Sequence, residues 1–145
     1  MYEKILIATD GSAGSMKALQ HAIALQKLCG AQLLILSVFR HYSQMENSIS
    51  MVRPREPEHL DQVMREYARE LAEQAKQVAL EAGCAGVRAF VKSGSAGRGI
   101  ARFAVEHEAD LIVVGSHGAG DVSGFLLGSV AHKVTSIAPC PVLVV

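Results

Sequence analysis

No run of apolar residues in this sequence approaches the ~18 that a membrane span requires, so a membrane-spanning role is not expected. Neither sign of charge is in excess: 14 Lys and Arg stand against 14 Asp and Glu, a net charge of zero. That balance leaves no broad basic field for nucleic acid or for a membrane surface, and it permits self-association. Cysteine is scarce and odd in number. Cys29, Cys84 and Cys140 have no Cys-x-x-Cys spacing, which argues against a disulfide framework or a zinc site. They read as reduced thiols, mostly buried, in a cytoplasmic protein. Ahead of Asp10, Glu3 and Lys4 are followed by only five apolar or small residues, which does not read as a signal peptide.

Common catalytic signatures are missing as well. There is no G-x-x-x-x-G-K-[S/T], so no Walker phosphate loop. Gly97-Arg98-Gly99 lacks the third glycine of a dinucleotide fingerprint, with Arg102 in its place. His21, His41, His59, His107, His117 and His132 form no H-E-x-x-H pair, and a metal site is not expected. No G-x-S-x-G elbow occurs, and Ser12 and Ser129 have no evident histidine base, so both read as caps or ligand donors. No catalytic residue stands out. Internal repeats and low-complexity tracts are absent too.

What remains is a chain of 145 residues, half of them apolar and 19% charged, which is one globular domain with a real core. Lys4 to Thr9 reads as a first buried strand. Ser12 or Ser15 caps a helix to about Cys29, with Gly30 as its stop. Gln32 to Phe39 is a second strand. Arg40 to Pro57 is polar, carries Pro54 and Pro57, and reads as a long mobile loop, either a lid or an insertion without a role. Glu58 to Ala82 is the longest helix, with Leu60, Val63, Met64, Tyr67, Leu71, Ala75 and Val78 as its apolar stripe. Val87 to Lys92 is a third strand. Ser93-Gly94-Ser95 turns into a helix through His107, with Ile100, Phe103 and Ala104 inward. Leu111 to Val114 is a fourth strand, a helix opens at Ser129, and Pro141 to Val145 is the fifth strand. Short crossovers between apolar strands predict an α/β fold: one doubly wound, Rossmann-like, five-stranded parallel sheet with helices on both faces.

The most informative stretch is Leu111-Ile112-Val113-Val114-Gly115-Ser116-His117-Gly118, with nine residues separating Gly118 from Gly128-Ser129. A strand buried on both faces ends in a glycine loop, and a second Gly-Ser opens a helix. Glycines let backbone N–H groups approach a ligand, and a helix start offers unpaired donors and partial positive charge, so the pattern suits a phosphate. An added side chain at Gly118 or Gly128 is expected to project into that space or to need a positive φ. The same glycines would also serve an ordinary strand-to-helix turn. Asp10, just past the first strand, can hold ribose hydroxyls or form an Asx turn. His117 can face the phosphates or stand in solvent.

Gly115-x-x-Gly118, nine residues, then Gly128-Ser129 resembles the glycine motif of the ATP-binding branch of the universal stress protein family. Ile5-Leu6-Ile7-Ala8-Thr9-Asp10-Gly11-Ser12 and Ala138-Pro139-Cys140-Pro141-Val142-Leu143-Val144-Val145 are similar to that family's first and last strands. The resemblance spans the whole chain. It implies strand order 3-2-1-4-5, which sets the Asp10 and Gly115 loops around one crevice. It also implies an adenine pocket of Ala8, Thr9 and the Val38 backbone, with Val114 at the base or sugar. Asp10 and Gly115 would then hold the ribose, and Gly118, Gly128, Ser129 and Val130 the phosphates. Two departures weaken the attraction for a triphosphate: Ala119 stands where relatives are often basic, and Asp121 adds negative charge, unless Arg98, Arg102 or Lys133 compensates. The resulting expectation is an adenine-nucleotide binding module for stress response or signalling, taking ATP or AMP with or without Mg, or a cyclic nucleotide. The alternatives are a slow ATPase on the same pocket and a structural homodimer with a vestigial one. Homodimerisation is expected through the last strand, which is apolar and uncharged at a sheet edge.

Overall fold

The computed structural model describes residues 1–41, 57–118 and 126–145. Among the described residues nine elements alternate: β1 (Lys4–Ala8), α1 (Ala13–Cys29), β2 (Gln32–Phe39), α2 (Pro57–Glu81), β3 (Val87–Ser93), α3 (Ala96–Glu106), β4 (Leu111–Val114), α4 (Ser129–Ile137) and β5 (Val142–Val144). The strands form one parallel sheet in the order β3-β2-β1-β4-β5. The chain reverses its winding between β1 and β4, whose registers align Ile5 with Leu111 and Ile7 with Val113.

Both faces of the sheet are covered, which explains why its central stretches, Ile5 to Ile7, Leu33 to Leu36 and Leu111 to Val114, are apolar at every position rather than alternating. Ile5, Ile7, Leu33, Ile35, Leu111 and Val113 pack with Leu19, Ile23, Ala75 and Ala79 of α1 and α2. Leu6, Leu34, Leu36, Ile112 and Val114 point the other way, onto Ile100, Phe103, Ala131 and Val134 of α3 and α4. Cys84 lies in the first of these cores, where burial pushes its thiol above the ordinary range against the opposing pull of Lys27.

The local signals explain most element ends. Ser12 is the cap of α1: its hydroxyl accepts from Ser15 N at 3.2 Å, while the Ser15 hydroxyl donates to the Ser12 carbonyl. Gly30 closes that helix at φ 66° with its N–H on the Gln26 carbonyl. Inside α3, Gly97 is a packing glycine. A Cβ on Gly97 would sit 2.7 Å from the Lys133 stem, so α3 and α4 meet closely there. The last strand is one residue shorter at each end than expected.

The stripe expected on α2 holds at Ala75, with Leu60, Met64, Leu71 and Val78 half-buried, and is corrected at Val63 and Tyr67. Ala68, Ala72, Ala75 and Ala79 are the residues buried against the sheet, whereas Val63 and Tyr67 are 51% and 61% exposed. Small side chains at helical spacing let α2 lie close to β2 and β3, and larger neighbours turn outward. Before α2, His41 Nδ1 lies 3.2 Å from Asp61 Oδ2, tying the end of β2 to the first turns of the helix. The loop expected over Arg40 to Pro57 otherwise falls on residues 42–56, outside the described residues. No helix among the described residues is long and apolar enough to cross a membrane.

This packing makes a contrast that urea denaturation can read. Ala72→Leu overfills the α2 contact and is expected to cost about 1–3 kcal/mol. Tyr67→Gln, on the exposed side, should stay within about 0.5 kcal/mol of the parent.

Candidate nucleotide site

The site grows from two strand ends that lie side by side. Beyond β1, Thr9 N–H still donates to the Leu36 carbonyl at 2.9 Å, and its hydroxyl lies 3.5 Å from that of Ser15. Asp10 is exposed, and its Oδ1 accepts from Ser12 N at 2.9 Å. The Asx-turn role is therefore occupied by one carboxylate oxygen. Gly11 follows at φ 81°, with the Leu71 side chain of α2 against it: a Cβ there would stand 2.8 Å from Leu71 Cδ2. The β1–α1 turn is thus pinned to both helices of its face.

At the end of β4 the backbone approaches α1 more closely than any side chain would allow. A Cβ on Gly115 would lie 2.8 and 2.9 Å from the carbonyl atoms of Gly14 and 3.1 Å from Ser15 N. A Cβ on Gly14 would collide with the His117 carbonyl oxygen. Ser116 N–H donates to the main-chain oxygen of Val145 at 2.7 Å, and the Ser116 carbonyl accepts from Gly128 N at 2.7 Å. The strand end is bonded to β5 on one side and to the start of α4 on the other.

Between these ends opens a cleft of about 500 Å³, part of it open to solvent. Ala8, Leu36, Val38, Ile100 and Val114 give it an apolar floor, and Thr9, Asp10, Ser12 and His117 a polar rim. Of the residues singled out in the sequence, Ala8, Thr9, Asp10, Val38, Val114, Gly115, Gly118 and Val130 all line it. Gly128 and Ser129 do not. Gly128 is buried as the N-cap of α4, and Ser129 is the exposed first residue of that helix.

Two details differ from expectation. Ser129 does not cap α4: Gly128 is its N-cap and, among the described residues, no side chain caps it, so the first-turn N–H groups point from the helix end. Gly128 has φ −62°, so it is not retained for a left-handed backbone. At Gly115 the steric demand is set by Gly14 rather than by open space. Gly14 itself was missed. Its only sequence signal is a side-chain-free residue just after a helix cap. Leu36, Ile100, Ala96 and Ala131 line the cleft without chemical signature in the sequence. Arg98, Arg102 and Lys133, the candidate compensating cations, are not among the lining residues, and Ala119 and Asp121 lie outside the described residues. Among the described residues no cluster of three His, Cys, Asp or Glu could hold a metal ion.

The sequence profile of the universal stress protein family matches residues 1–145. The chain belongs to that family. Among curated members it is 38% identical over 149 residues to universal stress protein YxiE of Bacillus subtilis (strain 168), covering 100% of this chain and 99% of that one. Among solved structures it resembles the hypothetical protein MJ0577, with a TM-score of 0.84 and 29% identity over 100% of this chain and 96% of the other. It also resembles a universal stress protein solved in complex with cAMP, with a TM-score of 0.74 and 25% identity, covering 99% of this chain and 97% of that one. The five-stranded order seen here is thus set in a universal stress protein fold.

The two glycine environments predict opposite stability effects. Gly115→Ala places a methyl against the Gly14 backbone, which cannot swing aside, and should cost about 1–3 kcal/mol in urea denaturation of the ligand-free protein. At Gly99, inside α3, an added Cβ meets Val38 at 3.6 Å, an ordinary contact. Gly99→Ala should therefore be neutral or stabilising by up to about 1 kcal/mol, through helix propensity.

Proposed function

We propose that this universal stress protein is an adenine-nucleotide binding module, made of one domain and acting in stress response or signalling in the cytoplasm. One observation carries the reading: the residues of the Ala8-Thr9-Asp10 turn, Val38, the Val114-Gly115 strand end, Gly118 and Val130 line a single cleft at the switch between β1 and β4. Clefts at that place in open α/β sheets are where such folds bind ligands. The cAMP complex of a structural relative supports a nucleotide as the occupant.

In this reading the base lies on the apolar floor beside Ala8, Thr9 and Val38. Asp10 and Gly115 hold the ribose. Phosphate lies by Gly118 and the start of α4, where Ser129, Val130 and the helix end supply donors behind the buried Gly128. Asp121, in the segment joining these glycines, and the absence of a cation at Ala119 disfavour extra negative charge. AMP and cAMP should accordingly bind at least as tightly as ATP without magnesium, and magnesium should recover ATP.

Calorimetry on purified protein stripped of ligand tests this. Asp10→Asn keeps an oxygen for the Asx turn and removes the charge, and it should weaken AMP about tenfold, the value of a hydrogen bond to a charged group. Gly128→Val, which adds a branched side chain at a buried helix start, should abolish AMP binding. Parent protein that binds no adenine nucleotide at millimolar concentration would sink the proposal.

We also propose homodimerisation through β5. The opposite edge, β3, carries exposed Arg88 and Lys92, whereas Val142, Leu143 and Val144 of β5 are uncharged and half-buried. Leu143→Lys is expected to give monomer by light scattering; an unchanged dimer would remove β5 as the interface.

A further inference from the structure

The two ties that join the end of β4 to the start of α4 differ in kind. One is between main-chain groups, Gly128 N to the Ser116 carbonyl. The other is made by a side chain: His117 Nε2 lies 2.5 Å from the Leu126 carbonyl oxygen, and its Nδ1 lies 3.2 Å from Ser116 Oγ. A carbonyl oxygen only accepts, so Nε2 carries hydrogen. In the neutral ring Nδ1 is then the acceptor, and the Ser116 hydroxyl donates to it. The ring is held at both nitrogens. The His117 main chain is fixed as well, because its carbonyl oxygen fills the space that a side chain at Gly14 would need. One residue therefore joins three segments: the start of α1, the end of β4, and the residue that precedes Leu127-Gly128 and the first turn of α4.

We infer that His117 is the positioning residue of the phosphate end of the cleft, with Leu126 and Ser116 as its partners. The inference rests on the nucleotide reading and deepens it. His117 lines the cleft. By holding the Leu126 carbonyl it fixes where the α4 first turn stands relative to Gly118, so the helix-end donors that would face a phosphate are set before the ligand arrives. The apolar floor at Ala8, Leu36, Val38 and Ile100 is built from other elements and does not depend on the ring. His117 therefore governs the preference for phosphorylated over unphosphorylated ligands and leaves affinity for the nucleoside unchanged.

Calorimetry with adenosine and AMP on the parent, His117→Leu and His117→Gln separates this from a general structural role. His117→Leu should lose about tenfold in AMP affinity, the value of one hydrogen bond held in place, and keep adenosine affinity within about twofold. His117→Gln, whose amide can donate to the Leu126 carbonyl, should recover most of the AMP affinity. Nitrogen-15 spectra of the neutral imidazole should show hydrogen on Nε2 and none on Nδ1. The inference is overturned if His117→Leu binds AMP like the parent, if it loses adenosine and AMP equally, or if the neutral ring carries its hydrogen on Nδ1. A parent that binds neither ligand overturns the nucleotide reading and this ligand role together, and is distinguished by that result from a failure confined to His117.

Discussion

The constraint on which the rest of the molecule depends is the contact of two backbones at the switch point. α1 begins, and β4 ends, so close together that Gly14 and Gly115 exclude side chains from one another's space. Every other feature of the cleft follows from that approach. It brings the Asp10 turn and the Gly118 loop to the same crevice, leaves Thr9 and Ser15 hydroxyls within reach of each other beneath it, and presses the His117 carbonyl onto α1. Hydrophobic burial drives the sheet together, but it is indifferent to a shift of an ångström. The glycine pair is what converts a packed sheet into a cleft of defined shape, because close-packed interiors give way little at such points.

The remaining contacts around the site distribute that constraint outward. Gly11 leans on Leu71, so the turn that carries Asp10 is registered against α2. Gly97 accepts the stem of Lys133, so α3 and α4 are registered against each other. The cleft is thus walled by α1, α3 and α4, with α2 registering the turn that carries Asp10, and glycine stands at each of these points of contact. Larger apolar residues fill the layers between sheet and helices, where their volume sets packing density rather than position.

Much of this was legible in the sequence, and the reasons are physical. Ile5-Leu6-Ile7 and Leu111-Ile112-Val113-Val114 announce themselves because a strand covered on both faces has no position for a polar side chain. Gly30 read correctly as the end of α1, and Ser12 as one of two candidate caps with Ser15, since capping is a local matter of backbone donors and acceptors. The strand order rested on the resemblance to universal stress proteins, for periodicity holds no information on which strands are neighbours. On α2 the apolar period held at Ala75 and Val78 but misplaced Val63 and Tyr67: hydrophobicity favours those two, while proximity to the sheet favours Ala68, Ala72 and Ala79. Gly14 and the partners of His117 were out of reach for a related reason. Each gains its meaning from a residue distant in the chain, and no local pattern marks such an encounter.

The bond from Ser116 N–H to the main-chain oxygen of Val145 connects the cleft to the outer edge of the sheet. Val145 in turn donates to the carbonyl of Val114, so the last residue grips β4 on both sides of Gly115. Thermodynamic linkage is reciprocal: an event at one end of such a connection that alters the other must itself be altered by the same factor. If another strand pairs with β5 and shifts Val145, occupancy of the cleft and occupancy of the edge become two readings of a single equilibrium. Solution concentration of the protein would then act on its small ligand as an effector does, and the ligand would set the concentration at which chains assemble.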